Sequence, residues 1–197
     1  MENAGKRFEK DWIESVPDDV YCLRLNDPAQ AFGGNGATRF SPHNPYDFVM
    51  YKYPHYFALE LKSTKGTSLT FWREDFGKRQ YMIKKWQILG LLKASEHPGV
   101  VAGIIINFRG VNRTYFCEAE SFYNYIGGLS KKSINEQDVI ALGGIIISQK
   151  QLKVRWRYDM EGFIDVAAGQ QQSDKDISGA DNPGGGFQTS ADNCETK

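Results

Sequence analysis

Cysteine is scarce in this chain of 197 residues: Cys22, Cys117 and Cys194 are the whole complement, odd in number and without a Cys-x-x-Cys pair. That supports neither a disulfide framework nor a zinc site. Long apolar runs are missing too. The longest, 100–106, is interrupted by Gly103 and is strand-sized, far short of the ~20 residues of a membrane helix. The opening Met1-Glu2-Asn3-Ala4-Gly5-Lys6-Arg7 lacks the apolar stretch of a secretory signal. Neither charge is in excess, with 24 Lys+Arg against 24 Asp+Glu. These absences predict a soluble cytoplasmic protein with no membrane partner, long enough for a single domain with its own core.

The balanced total hides an uneven distribution. From Gly169 onward the chain is rich in Gln, Gly, Ser and Asp, and Phe187 is its one aromatic residue. Such a segment buries too little apolar surface to order itself, so 169–197 is expected to be a disordered acidic tail behind a domain of residues 1–168. That domain carries 22 bases against 19 acids, and within it 62–93 holds eight bases and two acids. A local basic patch on a near-neutral protein points to a polyanion partner; a solvated helix face is the competing explanation.

Periodicity gives the order of elements. Phe8, Trp12, Ile13 and Val16 define one side of a helix over 6–16, and a strand follows at 20–25. Residues 26–44 form a long Gly- and Asn-rich loop with Arg39 as its only base. Strands at 46–51 and 56–62, joined through Lys52-Tyr53-Pro54-His55, read as a hairpin. A basic helix is expected over 76–94, strands at 100–108 and 113–117, and a short helix at 118–126. Ser133-Ile134-Asn135-Glu136 has the spacing of a capping box opening another helix, and strands near 145–147 and 154–156 close the body. This is a mixed α/β domain.

The hairpin carries the chemistry. Glu60 and Lys62 are two residues apart on one strand and share a face, roughly 6–7 Å apart along it. A turn centred between Tyr53 and Pro54 sets Asp47 opposite Glu60, and directly opposed residues have Cβ atoms about 4.5–5.5 Å apart. Two carboxylates at that spacing repel unless a cation lies between them. An all-oxygen pair leaving room for water suits Mg²⁺, with Mn²⁺ as a substitute. Lys62 then has a use, steadying negative charge on a phosphate. The apolar residues Phe57, Leu59 and Leu61 mark the strand as core, where charged side chains carry a desolvation cost. By itself Glu-x-Lys is also what a surface ion pair on an edge strand looks like.

Pro45-Tyr46-Asp47, twelve intervening residues and Glu60-Leu61-Lys62 together resemble the signature of PD-(D/E)xK nucleases. Within that superfamily the chain is most similar to RecU-type Holliday-junction resolvases. Asn3-Ala4-Gly5-Lys6-Arg7-Phe8-Glu9, Leu59-Glu60-Leu61-Lys62-Ser63-Thr64 and Trp86-Gln87-Ile88 resemble that family's opening helix, metal-binding strand and helical glutamine. The segments 103–108, 114–116 and 131–134 follow in order, so the resemblance covers about residues 3–165. It implies a restriction-endonuclease-like mixed sheet flanked by helices, with Asp47 and Glu60 binding the metal and Lys62 assisting catalysis. It further implies Glu9 as an additional site carboxylate and Gln87 as a positioning group. The chain departs from the family in having Tyr46 before the aspartate in place of Thr. It departs again in a 26–44 loop that is shorter and less basic than the family's stalk.

The expected function is thus Mg²⁺-dependent resolution of four-way DNA junctions in recombination and repair. The resemblance also implies a homodimer, whose two-fold symmetry would suit two matched cuts. Arg39, Lys65 and Trp72, with Arg73, Lys78, Arg79 and Lys84 of the basic stretch, are the expected DNA contacts. A nuclease of other branched or duplex DNA, and a DNA-binding module without turnover, remain open alternatives.

Overall fold

The computed structural model describes residues 3–25, 44–77 and 80–178. The chain opens with α1 (Ala4–Ile13), whose first turn is capped where Asn3 Oδ1 accepts from the Gly5 N–H at 3.0 Å. Phe8 and Trp12, one turn apart, are its buried apolar residues, and Asp11 beside them is buried as well. Next come β1 (Tyr21–Arg24), β2 (Phe48–Lys52) and β3 (His55–Thr64). The β2–β3 hairpin pairs Phe48 with Leu59 through Lys52 with His55, which is the register expected from a turn at Tyr53-Pro54. Then follow β4 (Ser68–Thr70), α2 (Lys85–Ser95), β5 (Val100–Phe108), β6 (Arg113–Glu118) and α3 (Ala119–Gly127). The remainder is β7 (Ser133–Asn135), α4 (Glu136–Ala141), β8 (Ile145–Ile147), β9 (Gln149–Gln151), β10 (Trp156–Tyr158) and α5 (Met160–Ser178).

Six strands form one mixed sheet in the order β1-β2-β3-β5-β6-β8. Only β3 and β5 run parallel, and α2 lies in the crossover that a parallel pair requires. Helices cover both faces, giving the mixed α/β architecture that the pattern of elements predicts. The apolar run of β5 is buried because it sits in mid-sheet. The glycine interrupting it is a packing requirement, since a Cβ on Gly103 would lie 2.3 Å from the Cys117 carbonyl oxygen.

Alternation along β3 sorts its side chains between two cores. Phe57, Leu59 and Leu61 point to the layer of Phe8, Trp12, Phe163 and Ile164 from α1 and α5. Ala58 points the other way, toward Ile88 and Leu91 of α2 and Phe122 of α3. By the same two-residue period Glu60 and Lys62 belong to the α2 side.

Several expectations are corrected. The basic stretch is not one helix over 76–94, because Ile83 pairs with Phe71 in an isolated bridge and both are fully buried. That long-range pairing, held by Trp72 N–H to the Ile83 carbonyl at 2.9 Å and Ile83 N–H to that of Thr70 at 3.0 Å, outweighs local helix preference. A short 3-10 turn, Glu74–Phe76, precedes it, and helix begins only at Lys85. Ser133 does not open a helix either. Burial of Ile134 draws β7 into pairing with β4, and the capping box moves to Asn135 and Asp138 at the head of α4. The final strand falls at 156–158, in a hairpin with β9. The last helix, α5, is anchored by buried Met160, Phe163, Ile164 and Ala167 and continues past residue 168 to Ser178. Residues 26–43, expected as a loop, and residues 179–197 lie outside the described residues. No helix among the described residues is long and apolar enough to cross a membrane.

Candidate active site

Glu60 is the centre of the site. Its position in mid-sheet, on the α2 side of β3, leaves the side chain 1% exposed. Its Oε1 accepts from Lys62 Nζ at 2.5 Å and from Gln87 Nε2. Its Oε2 is buried, accepts from no N–H or O–H of the described residues, and lies against the Asp47 carboxylate. Burial pushes the carboxyl up to about 8; the Lys62 ammonium works against that rise, and the Asp47 carboxylate adds to it.

Asp47 stands one residue before β2 and is fixed by its backbone. Its N–H donates to the Leu59 carbonyl at 3.1 Å and its carbonyl accepts from the Leu25 N–H at 2.8 Å. The carboxylate oxygen Oδ2 then accepts from the Leu61 N–H at 3.0 Å, which draws the side chain across the end of β2 toward Glu60. The preceding Pro45 packs on Gly90 of α2, where an added Cβ would fall 2.4 Å from the Pro45 Cβ. Tyr46 packs against the core on the same side and hydrogen-bonds Tyr56, whose hydroxyl is raised to about 12 by burial first and Tyr46 second.

Gln87 is buried in the first turn of α2, and its two ends do different jobs. Its Oε1 accepts from the Lys84 N–H at 2.9 Å, satisfying a helix-end donor, which aims its amide nitrogen at Glu60. Asp47, Glu60, Lys62 and Gln87 therefore converge. Glu9 is carried by α1 and is held by Arg24 Nε at 2.6 Å. Arg24 pairs with Phe48 in the sheet, next to Leu25, so Glu9 reaches the strand end that holds Asp47 from the α1 layer.

The other expected contacts are scattered. Lys65 is exposed in the β3–β4 turn, lining a separate depression of about 320 Å³ with Phe108, Val111 and Glu136. Arg73 lies at the end of α3. Its guanidinium bonds Asp75 at 2.5 Å and the carbonyls of Ile126, at 2.9 Å, and Leu129, closing the C-terminal end of α3. A guanidinium engaged in this way serves the fold. Trp72 and Lys84 lie together beside α2, while Arg39, Lys78 and Arg79 fall outside the described residues. Sequence reasoning missed the packing role of Gly90, and it did not set Lys85 and Trp86 beside Trp72 and Lys84. A glycine inside a helix was the available signal for the first, since it costs roughly 1 kcal/mol against alanine and so marks a close approach.

The donors suit a hard divalent cation. Both acids offer oxygen only, and a buried carboxylate oxygen without an N–H or O–H donor is an atom that a cation would satisfy. The described residues contain no group of three or more His, Cys, Asp and Glu able to hold a metal. A two-carboxylate site completed by water fits Mg²⁺ or Mn²⁺ rather than a protein-caged zinc.

No family model matches the chain. The SPbeta prophage-derived uncharacterized protein YotM of Bacillus subtilis strain 168 is 31% identical over 125 residues, which cover 62% of this chain and 60% of that protein. The chain thus spans less than two thirds of the curated relative it matches. Among solved structures, the Archaeoglobus fulgidus Hjc, a Holliday junction resolvase from an archaeal hyperthermophile, aligns with a TM-score of 0.46 at 18% identity. The alignment covers 72% of this chain and 95% of that one.

Proposed function

We propose that the protein is a divalent-metal-dependent endonuclease of the PD-(D/E)xK type acting on branched DNA, with the four-way junction as its substrate and a homodimer as its working form in the cytoplasm. The observation that supports this best is the buried Oε2 of Glu60, without an N–H or O–H donor and beside Asp47, with Lys62 and Gln87 both on Oε1. Two acids brought together in an apolar sheet, at a folding cost, make sense where a cation and a phosphate complete the site.

Asp47 and Glu60 would hold Mg²⁺, with Mn²⁺ as a substitute. When bound, the ion supplies Lewis acidity at a phosphodiester. Gln87 keeps Glu60 oriented by occupying Oε1 and leaving Oε2 for the cation. Lys62 carries the site's positive charge; with Glu60's charge shared by a cation, its ammonium is available to the anionic phosphate or to an attacking water. Glu9 is assigned a supporting role through Arg24 at the strand end.

Cleavage of a synthetic four-way junction, a flap and a linear duplex of matched sequence, in Mg²⁺, Mn²⁺ or EDTA, tests the reading. Paired symmetric nicks in the junction that require metal are expected. Asp47→Ala is expected to lose cleavage by at least ~100-fold while still binding the junction. Undiminished cleavage by a folded Asp47→Ala protein would falsify the assigned site. Preference for linear duplex would overturn the resolvase reading, and tight junction binding with no cleavage in either metal would leave a DNA-binding module.

A further inference from the structure

The first turn of α2 has two sides. Gln87 and Ile88 turn inward, one to Glu60 and the other to the core, while Lys84, Lys85 and Trp86 turn outward. Together with Trp72, Gln80 and Tyr81 they line a groove of about 480 Å³.

The walls of this groove are aromatic, and the charges on them are positive. Lys85 Nζ lies 4.8 Å from the Trp72 ring centroid, and Lys84 Nζ lies 4.7 Å from that of Trp86. Trp72 is half-buried against the core on one side, yet each indole carries an ammonium over its ring and Trp86 is 38% exposed. The cation stands where a second flat π-system could stack. A nucleotide offers both complements at once, a base for the ring and a phosphate to draw the ammonium away from it. In a continuous duplex the base faces are covered by their neighbours, so only an unpaired or extruded base presents one.

We propose that this groove binds an unstacked nucleobase of the DNA strand being cut, stacked on Trp86 and Trp72, with Lys84 and Lys85 on its flanking phosphates. The inference rests on the nuclease reading for the identity of the strand. The Lys84–Gln87–Glu60 hydrogen-bond chain ties the groove wall to the carboxylate site, so a base held there belongs to a nucleotide close to the scissile phosphate. The substrate class narrows accordingly, to DNA with an unpaired or readily unstacked base at the cut.

The test uses the full chain in EDTA, with 2-aminopurine either at the first unpaired position of a flapped duplex or inside a fully paired duplex of equal length. Wild type is expected to quench the flap probe and to bind it roughly tenfold more tightly than the paired duplex. Trp86→Ala is expected to lose the quenching and the preference together, and Trp86→Phe to restore most of both. Because Trp86 is solvent-facing, neither variant should fail to fold, and a thermal melt checks this. Equal quenching and preference in wild type and Trp86→Ala overturn the groove assignment, as does a wild type that shows no preference. Since the assay needs no hydrolysis, the two readings fail separately. Trp86-dependent quenching by a protein that cuts nothing upholds the groove and removes the nuclease. Asp47-dependent cleavage without Trp86-dependent quenching does the reverse.

Discussion

Glu60 is where stability and chemistry conflict most directly. Its carboxyl is raised to about 8 by burial, with Asp47 adding to the rise that Lys62 opposes, so the metal-free fold prefers the protonated acid. The unfolded chain releases that proton near the ordinary value of 4.5. Between those two points the unfolded state binds fewer protons than the folded state, and stability therefore falls as pH rises from about 4.5 toward 8 and then levels off. Glu60→Gln keeps the shape and removes the charge. The variant is expected to flatten this slope, to exceed wild type in urea unfolding in EDTA at pH 9, and to lose metal-dependent cleavage. Adding Mg²⁺ or Mn²⁺ at pH 8 should raise the unfolding midpoint of wild type and leave that of Glu60→Gln unmoved. A wild type that gains no stability from either metal would contradict the assignment of Glu60 as a ligand.

Among the elements, α2 organises the site from two points on one side. Gln87 fixes Glu60, and one turn later Gly90 provides the hollow that seats Pro45 and with it the segment leading to Asp47. Gly90→Ala pits two effects against each other. Alanine favours the helix by about 1 kcal/mol, but its Cβ would meet Pro45 Cβ at 2.4 Å and cannot be accommodated without moving the Pro45-Tyr46-Asp47 segment. The expected result is a several-fold rise in the Mg²⁺ concentration giving half-maximal cleavage, a shift that general destabilisation does not produce. Unchanged metal dependence would mean that Pro45 adapts without disturbing Asp47. The strand half of this arrangement was legible in the sequence, because a tight turn fixes a two-residue register and alternation then assigns Glu60 and Lys62 to one face. The helical half was less so. Where α2 begins depends on Ile83 pairing with Phe71, a contact between distant residues that leaves no local period. The Met160, Phe163, Ile164 and Ala167 stripe of α5 was present in the sequence, but glycines and polar residues around it masked the helix. Arg73 looked like one more base in a basic stretch, and only the fold shows that it closes α3.

At the scale of the whole molecule, the sheet separates an aromatic supporting layer from the layer that carries the proposed site. The layer of α1 and α5 is an aromatic cluster on the odd-numbered face of β3, whereas Glu60, Lys62, Gln87 and the Trp72–Trp86 groove belong to the other side. Phe163 is the residue that most clearly joins the supporting layer together. It is 3% exposed, and its ring centroid lies 5.3 Å from Phe116, 5.7 Å from Trp12 and 5.9 Å from Phe57, so it bridges α1, β3 and β6. Removing it takes away buried area and leaves a cavity that rigid strands on one side cannot close. Phe163→Ala is expected to lower stability by about 3–5 kcal/mol in urea titration. Its consequence for the site runs only through the β3 backbone, which the sheet hydrogen bonds hold from both neighbours. On the proposed function, the variant should therefore keep the cleavage and metal requirement of wild type below its lowered melting temperature. A fall in cleavage out of proportion to the folded fraction would show that the two layers are coupled and that the aromatic cluster also sets the geometry of Asp47 and Glu60.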